Sequence, residues 1–132
     1  MGNIINFKAL GDNWYEGKLA IDGQKISITG ICEKNPASHL QSAYRFFVQG
    51  GMRAQCVFNH QTTCHLIVMR RNEAITDNII VEVVKLNEKF ENNAKLRSNN
   101  YLDSNVVFSA SIPLTQFATA IGYQEPDSQK LQ

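Results

Sequence analysis

Cys56, His60, Cys64 and His65 stand in a Cys-x3-His-x3-Cys-His spacing, and thiolate and imidazole are the ligands zinc prefers. The same spacing straddles a turn. Arg53 to Phe58 and Thr63 to Met69 alternate as strands on either side of Asn59-His60-Gln61-Thr62, a hairpin with a four-residue connection. With the turn there, Cys56 lies opposite His65 on one face, while Cys64 points to the other, because successive side chains of a strand alternate. Two ligands to a side do not close a tetrahedral shell, and the chain has no Cys-x2-Cys pair. The cluster therefore reads as buried thiols and partly exposed imidazoles, and neither a metal nor a cofactor is expected.

Ser38 and His39 form a second suggestive doublet. They fall on a helical pattern, where adjacent residues do not face each other, so the doublet does not place a base beside a nucleophile. There is no Gly-x-Ser-x-Gly elbow, phosphate-cradling glycine loop or His-Glu-x-x-His motif. The expectation is a non-enzymatic protein, with an enzyme of dispersed active site around His39 or His65 as the remote alternative.

A third constellation is basic and aromatic: Arg70, Arg71, Lys89, Lys95 and Arg97 with Phe90 and Tyr101. Cations interleaved with rings serve single-stranded nucleic acid, charge for the backbone and rings for stacked bases. Glu73, Asp77, Glu82, Glu88, Glu91 and Asp103 fall in the same region, however. The surface is mixed rather than basic. These seven residues are the candidate partner-binding set, for a protein first and for nucleic acid as the alternative.

The elements that must position them follow from periodicity. Asn3 to Ala9 and Trp14 to Ile21 alternate as strands around a Gly11-Asp12-Asn13 turn, the second placing Tyr15, Gly17, Leu19 and Ile21 on one face. Asp22-Gly23 then marks a tight hairpin, since both central turn positions favour positive φ, and Lys25 to Cys32 returns. Leu40, Ala43, Tyr44 and Phe47 recur at helical spacing between Asn35-Pro36 and Gly50-Gly51. Leu114, Phe117, Ala118 and Ile121 do the same between Pro113 and Gly122, after the strand Val106 to Ile112. Arg70 to Asp77 reads as a polar loop, and Ile79 to Leu86, apolar on nearly both faces, as a central strand. Trp14, the one tryptophan, is either a lid on the core or an interface anchor.

The order is βββαββββα: an α+β domain over residues 1–123, a single mainly antiparallel sheet of six to seven strands with two helices on one face. Residues 124–132 form a polar tail, and Asn87 to Asn105 is a long polar, asparagine-rich connection of the kind that carries function or stays unstructured. At 132 residues with 43% hydrophobic and 19% charged content, the chain suits one ordinary packed domain. A net charge of +1 gives no long-range pull toward nucleic acid or membrane. Three cysteines, an odd number, point to a reducing compartment, and the first residues lack the layout of a signal peptide, so the cytoplasm is the expected location. A sheet covered on one face leaves room for a homodimer.

This layout, with Asn13-Trp14 opening an early strand and a helix closing each half, resembles the small immunity proteins of bacterial polymorphic-toxin systems. The resemblance implies a protein that blocks a toxin or enzyme by occluding its site. The functional expectation is thus a binding protein of immunity or phage-inhibitor type, contacting its partner through residues 87–105 and the neighbouring strand edges.

Overall fold

The structure, a computed structural model, describes residues 2–61, 63–87 and 105–123. Its seven strands are β1 (Ile4–Gly11), β2 (Trp14–Ile21), β3 (Gln24–Ile31), β4 (Arg53–Asn59), β5 (Cys64–Arg71), β6 (Asn78–Leu86) and β7 (Val106–Pro113). They form one antiparallel sheet in which spatial order equals chain order. Helix α1 (Pro36–Val48) joins β3 to β4, and α2 (Leu114–Ala120) follows β7. The α+β class, the element order and the two helices are those expected from the sequence.

Local chemistry sets the boundaries. The Asn35 side chain accepts the Ala37 N–H at 2.9 Å and Pro36 occupies the first turn of α1, an N-terminus that costs no backbone donor. Asp22 (φ 54°) and Gly23 (φ 82°) make the left-handed turn that matches the twist of the β2–β3 hairpin. At the other end of β2, Asp12 and Asn13 also take positive φ, which these residue types tolerate better than most.

The sheet is continuous but not flat. β3 touches β4 at a single register pair, Ile31 with Asn59. At its far end the Gln24 side chain donates to the Ser109 carbonyl of β7 at 3.0 Å. The first three strands therefore fold over the other four. Ile5, Leu19, Ile21 and Ile28 meet Leu40 and Phe47 of α1, Phe117 of α2 and the inner faces of β4 to β7 in one core. Cys64, Leu66, Val68, Val84 and Leu86 make a second buried cluster on the opposite face of β5 and β6.

Three expectations change. The β4–β5 pairing is displaced by two residues, so that Cys56 lies opposite Ile67 and His65 opposite Phe58. An even slip preserves faces, and Cys64 still points away from Cys56. β5 extends through Arg70 and Arg71 instead of ending before them, because both pair with β6. β6 is the penultimate strand rather than a central one; its two-sided apolarity comes from having a buried cluster on each face. The 88–104 stretch and residues 124–132 lie outside the described residues. Among the described residues no helix is long and apolar enough to cross a membrane.

Gly30 marks the crossing of β3 over β4. A Cβ there would sit 2.7 Å from the Phe58 carbonyl carbon and 2.8 Å from the Asn59 oxygen, both backbone atoms that cannot step aside. At Gly17 the obstacle is the edge of the Phe7 ring, at 2.9 Å, which can rotate. Gly30→Ala is expected to lower stability by about 2 to 3 kcal/mol and Gly17→Ala by clearly less, measured by urea denaturation of the two variants.

Candidate functional site: one end of the sheet

A single register row runs across five strands: Trp14 pairs with Ile31, Ile31 with Asn59, Asn59 with Cys64 and Cys64 with Leu86. Paired residues share a face, so this row lies on the outer side of the sheet, the side of the second apolar cluster. Trp14 is half-buried, and its ring meets His60 edge to face with centroids 5.1 Å apart. Ile31 is 40% exposed, and Leu10, displaced by the β1 bulge beside Trp14, is 50% exposed. The connection from β6 to β7 leaves and returns here, because Asn87 follows Leu86 and the Asn105 amide donates to the Lys85 carbonyl at 3.2 Å. An aromatic anchor, two exposed aliphatic side chains and the ends of the long polar stretch thus share one rigid margin.

The row just inside it, on the inner face, holds Phe58, His65 and Lys85. His65 Nδ1 is buried and has no hydrogen-bond partner among the described residues. Burial, then the positive charges of Lys85 and His60, hold its imidazole below the ordinary 6.5. His39, at the start of α1, is lowered by burial and by Lys34. Cys32 and Cys56 are buried neighbours. A hydrogen bond from Cys56 lowers the Cys32 thiol, while that bond and burial push Cys56 well up. All three cysteines are free thiols, and the described residues contain no group of three or more His, Cys, Asp or Glu able to hold a metal.

The two candidate arginines on β5 are engaged within the fold. Arg70 forks onto Glu82 of β6, Nε to Oε1 at 3.2 Å and Nη2 to Oε2 at 3.4 Å. Arg71 donates to the Gly51 carbonyl at 3.2 Å, the Thr76 carbonyl at 2.7 Å and the Phe47 carbonyl. Its guanidinium thereby ties the end of α1 to the start of β4 and to the turn before β6. Lys89, Phe90, Lys95, Arg97 and Tyr101 lie outside the described residues. Sequence reading singled out Trp14 and His60 but not their contact, and missed Ile31 and Leu10. Outward positions of alternating strands carry no mark until register brings them together.

Two outcomes follow. The unfolded chain takes up protons near pH 6.5 while folded His65 and His39 resist them, so stability should fall as pH drops from about 7 through 6.5 and below. Thermal melts of wild type and His65→Gln across this range should show a shallower slope in the variant. Arg71→Ala should cost about 2 to 3 kcal/mol, because charged-donor bonds to three carbonyls are lost, and Arg70→Ala a comparable amount, because it takes the guanidinium from the Glu82 carboxylate, whose side chain is only 11% exposed; urea denaturation of the two variants measures both. No protein-family model, curated protein or solved structure matches this chain.

Proposed function

We propose that the chain is a small non-enzymatic binding protein, of immunity or phage-inhibitor type, that engages a protein partner through the Trp14 end of the sheet and the 87–105 connection that departs from it. The observation that carries this reading is the exposure of Ile31 and Leu10 around a half-buried tryptophan on a rigid sheet. Apolar side chains ringing an aromatic anchor are the composition of binding hot spots. The anchor is already ordered, packed against His60, so docking costs little side-chain entropy. Occlusion of a partner's site needs shape and position, not a catalytic group, and this margin offers both.

The test is recovery of a stoichiometric partner by the tagged protein from an extract of the cells that make it. Ile31→Lys, which adds charge at an exposed position, and Trp14→Ala are each expected to weaken that complex at least tenfold, with far-ultraviolet circular dichroism unchanged. Met52→Lys, at a 55% exposed position outside this row, should leave it intact. Recovery of no stoichiometric protein, or equal binding by the Ile31→Lys variant, would sink the proposal.

A further inference from the structure

The outer face of β1 to β3 continues away from Trp14 and changes character. Register places Asn6, Lys18 and Ser27 in one cross-strand row and Ile4, Ala20 and Lys25 in the next. These six side chains line a shallow depression of about 420 Å³. Nearer to Trp14, Lys8 stands directly across from Glu16 in the register. Lys18 and Lys25 have no ion pair among the described residues. The hollow therefore offers two uncompensated ammonium groups, a carboxamide and a hydroxyl around an apolar floor of Ile4 and Ala20, with Ile4 52% exposed.

From this geometry we infer that the hollow receives a carboxylate-bearing segment of the protein partner, a stretch in which Asp or Glu alternates with an aliphatic side chain. The inference rests on the reading of the Trp14 end as a protein-binding margin and extends the same footprint along β2. Trp14, Glu16, Lys18 and Ala20 follow one another on that face, and the six residue-to-residue steps between the first and the last span roughly 20 Å. A footprint of that length suits a protein interface of ordinary size. Charge complementarity selects the occupant: Lys18 and Lys25 attract carboxylates, and the Ile4 and Ala20 floor rewards an apolar neighbour. A nucleic-acid strand fits less well. The outward residues of β1 to β3 offer no ring besides Trp14 for a stacked base.

The experiment has two arms. In the first, a six-residue peptide alternating glutamate with leucine and a ten-nucleotide oligothymidine are titrated separately into labelled full-length protein and followed by amide shifts. Peptide-induced shifts centred on Lys18, Ala20, Lys25 and Ser27, absent in the Lys18→Glu, Lys25→Glu double variant and suppressed by about 0.3 M salt, support the inference. No shift with the peptide, or stronger shifts at these residues with the oligonucleotide, overturns it. In the second arm the double variant is compared with Ile31→Lys for binding to the recovered partner. Loss of at least tenfold in both supports the inference. Loss in Ile31→Lys alone overturns it and leaves the protein-binding reading standing. Retention by both removes the two together. The lysines are on the solvent face of the hairpin, so the double variant keeps its core, and circular dichroism verifies this.

Discussion

The architecture depends on one close approach, that of Gly30 to the backbone of Phe58 and Asn59. Only one register pair joins β3 to β4, so the seven strands count as one sheet by the narrowest of margins. Without a side chain at residue 30, β3 lies against β4 at that point and diverges from it beyond, reaching β7 at Gln24. The divergence is what creates the core. It folds the first three strands over the other four, and α1 and α2 complete the enclosure with Leu40, Phe47 and Phe117. Had the two parts stayed coplanar, the inner residues of β1 to β3 would face water instead of the inner faces of β4 to β7.

That junction also organises the surface. Ile31, the residue after Gly30, carries the register from Trp14 across to Asn59 and on to Leu86. The outer faces of the two halves therefore become one margin at this end, bringing Leu10, Trp14 and His60 beside the departure point of the 87–105 connection. On the inner side of the same junction Cys32 meets Cys56, and the burial of both explains why thiols within reach of each other are core side chains here. Arg71 performs a comparable service at the other end, holding three separated carbonyls with one guanidinium.

Much of this fold was legible in the sequence because its determinants are local. Asp22-Gly23, Asn35-Pro36 and Gly122 set turn and helix ends through backbone preferences that need no tertiary partner. Face assignments survived even where the β4–β5 pairing slipped, since alternation fixes parity and the slip was even. What was not legible depends on distant partners. Arg70 and Arg71 look like loop residues until Glu82 and the Phe47, Gly51 and Thr76 carbonyls are in place. The apolarity of Ile79 to Leu86 signals burial on both faces, not a position in the sheet. Ile31, Lys18 and Lys25 are unremarkable outward residues in one dimension. Their grouping is a product of register, which periodicity alone does not state.

Strand order equal to chain order has a consequence for how the molecule assembles. Each strand after the first pairs with the preceding one, and four of the six pairings close through turns or connections of a few residues, while β3 with β4 and β6 with β7 are joined by longer ones. Such short closures carry little loop-closure entropy. The pairing that joins the two halves, where Gly30 lies on Phe58, is by contrast closed across the whole of α1. The pairing of β3 with β4 thus spans the longest connection in the sheet and carries the largest loop-closure entropy of the six.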